Sequence, residues 1–308
     1  MSVFLCENIF EGARKRLESH YEIVNNFDDA DEIEAIILRV FKVDKAIMDK
    51  CKNLRLIAQH GVGCDSIDLK EAKRRGITVL NTPGINSEAV AEMIVGLAID
   101  ISRNITLAYR KTKDGDFPTA SPPTMIGTEL HGKTVGLIGT GHVARLVAHI
   151  FHDGFNMEVL GYNPHVSKEK MAELGYKKYD SIQELIKASD IVNVSVPLTP
   201  ETKNLIAGKT FDCFKPSAIL INAARGGIVN EDDLYDALKE RKLHAAACDA
   251  FVNEPPSGKN TKLFELDNFV GTPHIGGCSK DALIRVGNEV VDETLKVLSG
   301  GEPSHRVI

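Results

Sequence analysis

No stretch of this sequence approaches the unbroken run of about 20 apolar residues that crosses a bilayer, so a membrane protein is not expected. The six cysteines include no CxxC pair, which argues against a disulfide framework and a zinc site, and no metal is predicted. Basic runs interleaved with aromatic residues are missing, and a net charge of -6 does not attract a phosphate backbone. Nucleic acid is therefore not expected as a partner.

The amino terminus also lacks the features of a secretory signal. Its apolar residues precede its basic ones, and no small-residue cleavage site follows them. Together with the scattered cysteines, this predicts a protein of the reducing cytoplasm.

What the sequence does contain is an alternation of short β-rich runs with amphipathic stretches, which is typical of βαβ units and parallel sheets. At 308 residues the chain exceeds the size at which one hydrophobic core usually stops growing, so two α/β domains are expected. The predicted strands are Val3–Cys6, Ala35–Leu38, Leu54–Ala58, Thr134–Ile138, Val159–Tyr162, Ile191–Val196, Ile219–Asn222 and Ala245–Asp249.

Two long helical patterns connect the predicted domains. The first, Ser87–Arg110, leads into an irregular stretch over 112–129, and the second, Ser279–Leu298, is long enough to return to the first domain. We therefore predict a substrate domain from residues 1–101 and 280–308 and a dinucleotide-binding domain from residues 102–279. The first pattern is richer in small and apolar residues than a connector requires, which favours a homodimer formed through it.

A glycine motif follows the predicted strand Thr134–Ile138. Gly139 permits a tight turn, Gly141 lets the backbone approach a pyrophosphate, and Ala144 takes the third small position of the motif. The helix that begins here offers free N–H groups and a positive dipole end to an anion. Glycine turns also end ordinary strands, but the further βα units that follow favour a dinucleotide site.

The residue expected to hold the adenosine ribose is Asn163, at the end of the next strand. A carboxylate at this point favours NAD because it accepts from the ribose hydroxyls and repels a 2′-phosphate, whereas asparagine accepts without repelling. Asn163-Pro164 is also compatible with a simple turn. With His165 and Lys168 close by, both NAD and NADP stay open, and NAD is placed first.

Three later segments are similar to the D-isomer-specific 2-hydroxyacid dehydrogenases. They are Leu220-Ile-Asn-Ala-Ala-Arg-Gly-Gly-Ile-Val, Cys248-Asp-Ala-Phe-Val-Asn-Glu-Pro-Pro and Gly271-Thr-Pro-His-Ile-Gly-Gly. The order of these motifs matches the family, as do the glycine turn and the segment from Asn81 to Glu92. The resemblance implies two doubly wound parallel-sheet domains, with a Rossmann nucleotide domain inserted in a flavodoxin-like substrate domain. It also implies hydride transfer between NAD(P) and a small D-2-hydroxy or 2-keto acid.

Residue chemistry supports a catalytic role for Arg225, Glu254 and His274. The planar guanidinium of Arg225 can hold a carboxylate with two parallel hydrogen bonds, and it stays charged. His274 can give and retake a proton near neutrality, and Glu254 can orient its ring and favour the imidazolium. Each also has a structural explanation: a surface ion pair for the arginine, a solvated loop acid for the glutamate and a backbone-bonded loop residue for the histidine.

The resemblance implies further contacts with the cofactor and substrate. Substrate carboxylate binding is expected from the backbone of Gly61, Val62 and Gly63. Cofactor contacts are expected from His142, Val143, Val196, Pro197, Thr202, Ala223, Asp249, Gly276 and Gly277. In this set Val196 and Pro197 line the adenine, and Asp249 accepts from the carboxamide.

Within the family, the motifs are most similar to phosphoglycerate dehydrogenases and to hydroxypyruvate or glyoxylate reductases. Gln59 and His60 occupy a stretch where many phosphoglycerate enzymes carry a phosphate-binding arginine, so the choice of substrate stays open. Ile308 follows the last helix closely, and no further regulatory domain is expected. An NAD(H)-binding corepressor with little turnover and a formate dehydrogenase are the alternatives.

Overall fold

A computed structural model describes residues 2–308. The chain forms two compact units, one from residues up to Asn86 together with Gly277–Ile308 and the other from Ser87–Gly276. Within the described chain, no helix is both long and apolar enough to span a bilayer.

The first unit contains one five-stranded parallel sheet. Its strands are β1 (Ser2–Leu5), β2 (Glu22–Val24), β3 (Ile33–Leu38), β4 (Leu56–Gln59) and β5 (Thr78–Leu80), in the order β2-β1-β3-β4-β5. The first three helices are α1 (Glu11–Glu18), α2 (Lys45–Lys50) and α3 (Leu69–Arg75). Helices on a parallel sheet bury both of its faces, which explains why the inner strand β3 is apolar almost throughout.

The second unit is built on a seven-stranded parallel sheet. Its helices are α4 (Ser87–Arg103), α5 (Ile105–Asp114), α6 (His142–Phe155), α7 (Lys168–Glu173), α8 (Ile182–Ala188) and α9 (Glu231–Lys239). Its strands are β6 (Thr134–Ile138), β7 (Glu158–Tyr162), β8 (Lys177–Lys178), β9 (Ile191–Val194), β10 (Ile219–Asn222), β11 (Ala245–Cys248) and β12 (Phe269–Gly271). The order is β12-β11-β10-β9-β6-β7-β8. Successive strands are added toward one edge from β6 to β8 and toward the other edge from β9 to β12, so the strand order reverses between β6 and β9. Ligands of such sheets bind outside the carboxyl ends of the strands at this reversal.

The last helix, α10 (Lys280–Leu298), returns the chain to the first unit. Ser279 caps it by accepting a hydrogen bond from Ala282 N, and the helix packs on α1 and β4 through buried residues that include Val290 and Val291. The two sheet orders are those of flavodoxin-like and Rossmann sheets, and the predicted fold class is confirmed.

The sequence predicted one continuous helix over residues 87–110, and this prediction is wrong because the structure has two helices, α4 and α5. Asn104 adopts a left-handed conformation with φ of 56°, which ends α4 and starts α5. The Asp100 carboxylate stabilises this break by accepting from both the backbone N–H and the hydroxyl of Thr106. Most of the apolar residues of α4 are buried within its own unit, because the helix packs on α6 and on β10 and β11.

The predicted domain boundaries after residues 101 and 279 do not coincide with those of the two units, which fall after Asn86 and Gly276. Helix α4 accounts for the larger difference, since it packs with the seven-stranded sheet. The assignment of a substrate role to one unit and a dinucleotide role to the other stays a prediction.

Candidate active site

The glycine turn after β6 lies against the end of β9. Gly139 has φ of 95°, and a Cβ at this position would come within 2.3 Å of the Ser195 carbonyl oxygen. Its N–H donates to the Tyr162 carbonyl at the end of β7 over 2.9 Å. The turn is therefore held at the carboxyl ends of three neighbouring strands, and only glycine fits it without moving the backbone of β9.

The start of α6 has room for a ligand. A Cβ at Gly141 would meet no atom within 4 Å, and this exposed residue begins the helix with no side-chain cap from the described chain. The fold therefore does not itself require glycine here. Uncapped N–H groups beside open space at the amino end of a 14-residue helix suit a phosphate, so these residues fit a dinucleotide. His142 and Val143 form the first turn of this helix, and their cofactor contacts stay predictions.

Asn163 lies directly after β7, and both the nitrogen and the oxygen of its side-chain amide form hydrogen bonds. Its Nδ2 donates to Thr140 Oγ1 over 3.0 Å, and its Oδ1 accepts from the backbone N–H of His165 over 2.9 Å. The turn that the sequence allowed is thus present, and the amide also fastens the glycine turn to the end of β7. The ribose contact of Asn163 stays a prediction.

A short loop after β9 carries the residues predicted to line the adenine. Thr202 Oγ1 donates to the Pro197 carbonyl over 2.6 Å and accepts from Thr199 N over 2.7 Å. Thr202 therefore stabilises this loop through hydrogen bonds to its backbone. Pro197 is exposed and Val196 is half-buried, so both are placed at the surface of the unit.

Arg225 is presented by a loop that Asn222 shapes. Asn222, the last residue of β10, is almost fully buried; its Nδ2 donates to the Arg225 carbonyl and its Oδ1 accepts from Ala224 N. The Arg225 guanidinium also folds back on the Ala224 carbonyl through Nη1. Asn222 was not among the predicted site residues, although it lies in the quoted motif. Ala223 lies in the same loop, and its nicotinamide contact stays a prediction.

The Arg225 loop packs directly on the loop that carries Glu254. A Cβ at Gly226 would come within 2.0–2.3 Å of the backbone of Phe251 and Val252. Gly226 is therefore the close-contact residue that brings the two loops together, and any larger side chain displaces one of them. Sequence reasoning missed it, because the reason for this glycine lies in a segment that is distant along the chain.

Glu254 and His274 form a direct pair. His274 Nδ1 lies 3.0 Å from Glu254 Oε1 and 2.9 Å from Oε2, and Glu254 Oε1 also accepts from Phe251 N over 3.1 Å. With Nδ1 directed to the carboxylate, Nε2 is the ring nitrogen that faces away from Glu254. His274 is 40% exposed at its side chain, so a small molecule can reach the ring.

The Glu254 carboxyl is held in its charged form. Burial, the largest single influence, acts to raise its pKa, but hydrogen bonds from His274 and Phe251 N and the charges of His274 and Arg225 together outweigh burial and lower the pKa. Arg225 thus acts on Glu254 through its charge. The structure brings the three predicted catalytic side chains into one electrostatic group at the carboxyl ends of β10, β11 and β12.

Asp249 fastens the loop on either side of His274. Its Oδ1 accepts from Thr272 Oγ1 over 2.6 Å and from Ile275 N over 2.8 Å, and its Oδ2 accepts from Gly276 N over 2.7 Å. These bonds hold His274 in a left-handed conformation with φ of 56°. Asp249 was predicted to accept from the nicotinamide carboxamide, and only Oδ2 keeps acceptor capacity for such a bond.

The predicted carboxylate-binding loop, Gly61–Gly63, belongs to the first unit and follows β4. Gly61 has φ of 139°, its N–H donates to Thr82 Oγ1, and its carbonyl accepts from Thr82 N. Asn81 Nδ2 donates to the Val62 carbonyl over 2.8 Å. In the same unit Gly277 lies against the Asn86 side chain. The substrate role of Gly61–Gly63 and the cofactor roles of Gly276 and Gly277 stay predictions.

Beside this loop, His60 is buried as a neutral imidazole. Burial is the main cause that lowers its pKa to about 4, and the charge of Arg39 acts in the same direction, while its own backbone and Glu7 oppose it. Its Nε2 has no hydrogen-bond partner within residues 2–308. His60 therefore supplies no positive charge to this loop near neutral pH.

The lowered pKa of His60 predicts an acid-sensitive fold. Between about pH 6.5 and pH 4 the unfolded chain binds a proton at His60 that the folded chain does not, so stability falls as the pH falls through this window. The expected loss is about 3 kcal/mol once the pH is below the folded pKa. Urea unfolding at about pH 7 and about pH 4.5 measures it. His60→Gln should reduce the difference between the two conditions, whereas the exposed His20→Gln should leave it unchanged; equal acid sensitivity in both variants contradicts the assignment to His60.

Comparisons with known proteins identify relatives of this chain. Residues 95–276 match the model of the D-isomer specific 2-hydroxyacid dehydrogenase, NAD binding domain. The chain is 38% identical to D-3-phosphoglycerate dehydrogenase of Methanocaldococcus jannaschii over 91% of this chain and 52% of that protein. It is 37% identical to hydroxypyruvate reductase of Thermotoga maritima, over 87% of this chain and 85% of the relative. The chain thus spans about half the length of the first of these relatives.

The fold also agrees with solved structures. The TT0316 protein of Thermus thermophilus superimposes with a TM-score of 0.92 and 31% identity, covering 100% of both chains. Among the residues described here, no group of three or more histidine, cysteine or acidic side chains could hold a metal ion. The matched region contains the glycine turn, Arg225, Glu254 and His274, and the family resemblance read from the sequence is confirmed. The chain belongs to the D-isomer specific 2-hydroxyacid dehydrogenase family.

Proposed function

We propose that the protein is an NAD(P)-dependent D-2-hydroxyacid dehydrogenase that interconverts a small 2-keto acid and the corresponding D-2-hydroxy acid. The observation that carries this proposal is the contact of 2.9 Å between His274 Nδ1 and Glu254 Oε2, beside Arg225, in a member of this family. When bound, the nicotinamide would supply or accept the hydride at the 2-carbon. The work of the protein is to bind the acid, polarise its carbonyl and move one proton.

Arg225 binds the substrate carboxylate and polarises the carbonyl. A guanidinium suits this task because its planar fork makes two parallel hydrogen bonds and keeps its charge at every working pH. Support comes from the loop itself, in which Asn222 fixes the Arg225 carbonyl and Nη1 is tied to Ala224. The side chain is thus held in place before a substrate arrives, which is what electrostatic stabilisation of a developing oxyanion requires.

His274 gives its Nε2 proton to the carbonyl oxygen during reduction and takes it back during oxidation. Glu254 holds Nδ1 and therefore selects Nε2 as the atom that exchanges the proton. The charged state of Glu254, which its lowered pKa favours, stabilises the imidazolium that reduction consumes. Glu254 is accordingly a positioning residue for His274.

We propose unphosphorylated substrates, hydroxypyruvate and glyoxylate, ahead of 3-phosphohydroxypyruvate. Support comes from Gln59 and His60, which are buried at the end of β4 and carry no positive charge near neutral pH. A phosphate in this neighbourhood gains no ion pair from either residue. The relative from Thermotoga maritima carries the name hydroxypyruvate reductase.

A spectrophotometric screen tests the proposal. Hydroxypyruvate, glyoxylate, pyruvate and 3-phosphohydroxypyruvate are each supplied with NADH and with NADPH, and the loss of reduced nicotinamide is followed. We expect the two small unphosphorylated acids to give the highest kcat/KM. A clear preference for the phosphorylated acid contradicts the substrate assignment, and a lack of turnover with all four contradicts the enzyme assignment and favours an NAD(H)-binding corepressor-like protein.

We also propose a homodimer. Support comes from apolar side chains that remain exposed on and near α5, namely Ile105 (51% exposed), Tyr109 (68%) and Ile126 (78%). Ile105 and Tyr109 are four residues apart on this helix and therefore lie on one face, and neighbouring exposed apolar residues are typical of an interaction site. Light scattering at micromolar concentration should give twice the chain mass, and Tyr109→Glu should shift the protein toward the monomer. A monomer mass for the unmodified protein contradicts this proposal.

A further inference from the structure

The segment from the end of β7 to the first residue of α7, residues 163–168, contains no acidic side chain. It begins directly after the strand that follows the glycine turn, where Rossmann folds that prefer NAD carry an aspartate or glutamate for the ribose hydroxyls. That carboxylate has two effects: it accepts hydrogen bonds from the 2′-hydroxyl, and its charge repels a 2′-phosphate. No residue of this segment supplies the negative charge that repels a 2′-phosphate.

Asn163 replaces only part of the acceptor capacity of the missing carboxylate. Its Oδ1 already accepts from His165 N and its Nδ2 already donates to Thr140 Oγ1. A carboxylate offers about four acceptor positions, whereas the Asn163 oxygen has two and one is occupied. The Asn163 amide mainly joins two loops. It therefore gives NAD little of the advantage over NADP that an aspartate at this position would give.

The charges around this loop favour an additional phosphate. Arg145 on α6 donates through Nε to the Thr140 carbonyl over 3.1 Å, so its guanidinium lies next to the residue that binds Asn163. Lys168 is exposed at the other end of the loop. Neither cation forms an ion pair with a carboxylate in the described part of the chain.

The nearest acidic residue along the chain offsets little of this positive charge. Glu169 follows Lys168, and its charge is already compensated: hydrogen bonds from its own backbone N–H and from Ser167 lower its pKa, and Lys168 and Lys178 lower it further. A 2′-phosphate beside Asn163 would therefore lie near the positive charges of Arg145 and Lys168, which Glu169 offsets only weakly.

We propose that this chain selects NADP(H) over NAD(H), and that Asn163, Lys168 and Arg145 set the preference. The inference deepens the proposed function and rests on it, since it concerns the adenosine end of the same dinucleotide site. Asn163 acts by not repelling the 2′-phosphate, and the two cations act by attracting it. Because the cations are exposed, the preference weakens as salt is added.

Direct binding tests the proposal without turnover. Isothermal titration calorimetry at low salt measures Kd for NADPH and NADH, and for the adenosine halves alone, adenosine 2′,5′-bisphosphate and AMP. We expect NADPH to bind about tenfold more tightly than NADH, a difference of about 1.4 kcal/mol. The bisphosphate should exceed AMP by a similar factor, and about 0.5 M salt should reduce both ratios.

Asn163→Asp is the decisive variant, because it keeps the size of the side chain and its acceptor for His165 N. We expect it to reverse the preference to about tenfold in favour of NADH. Lys168→Ala should weaken NADPH severalfold and leave NADH unchanged. Lys209→Ala, which removes an exposed lysine from a 3-10 turn of the same unit, should change neither.

The outcomes separate this inference from the proposed function. Equal or tighter binding of NADH by the unmodified protein overturns the inference, as does an Asn163→Asp variant with unchanged selectivity. Binding of NADPH without turnover of any 2-keto acid overturns the proposed function and leaves NADP(H) selection supported. Failure of both dinucleotides and both adenosine probes to bind overturns the two together.

Discussion

His274→Gln is expected to reduce kcat for 2-keto acid reduction by about 10²–10⁴-fold, the usual contribution of a positioned general acid. Glutamine fills a similar volume and can still hydrogen-bond to Glu254, but it has no proton to transfer. Because the predicted dinucleotide contacts lie largely outside this side chain, the Kd for the reduced cofactor should change little. Steady-state kinetics together with calorimetric titration of the cofactor measure the two effects separately.

Two further variants show whether the loss is chemical. His274 has φ of 56°, a conformation that asparagine tolerates better than glutamine, so His274→Asn controls for backbone strain at this position. We expect both variants to be equally inactive. Glu254→Gln keeps the imidazole but removes the carboxylate that holds Nδ1, so kcat should fall while the Kd for the reduced cofactor stays unchanged. An active His274→Asn protein, or an unchanged kcat for Glu254→Gln, contradicts the assignment.

Arg225→Ala is expected to lower kcat/KM by about 10²–10³-fold, the range observed when one donor to a developing oxyanion is removed. KM should rise and kcat should fall, because in the proposed mechanism the guanidinium binds the carboxylate in the ground state and polarises the carbonyl in the transition state. Arg225→Lys should lie between the parent and the alanine variant, since lysine keeps the charge but loses the fork.

Thermal unfolding of the same variants distinguishes catalysis from structure. Arg103→Ala, which removes an exposed arginine from the end of α4, serves as the matched control and should behave like the parent in both assays. We expect the melting temperature of Arg225→Ala to stay within a few degrees of the parent. A large fall in melting temperature with normal kinetics per folded molecule would instead identify a structural arginine.

The strands that sequence patterns predicted and those that they missed differ in one physical respect. All eight predicted strands are present, with ends that differ by at most two residues, and they include the inner strands of both sheets. The four missed strands are β2, β5, β8 and β12, which are the edges of the two sheets. Edge strands are short and partly solvated, so they lack the apolar run on which the prediction depends.

Prediction of the site residues from the sequence was limited in a similar way. Chemistry-bearing side chains such as His274 and Glu254 stand out in a sequence because their motifs are distinctive. Asn222 and Gly226 do not, because their importance comes from contacts with Arg225 and with the backbone of Phe251 and Val252. The break at Asn104 was missed for the same reason: apolar periodicity continues through the residue, and the left-handed turn depends on the Asp100 side chain.

The close contact at Gly226 also bears on how much the site must rearrange during turnover. Since the backbone at Gly226 touches the backbone at Phe251, and Phe251 N in turn binds Glu254, the proposed electrophile Arg225 and the proposed proton donor His274 share one continuous support. The two loops that carry Arg225 and Glu254 cannot separate without breaking this backbone contact. The dipoles are thus oriented before the reaction begins, which keeps the reorganisation energy of the chemical step low.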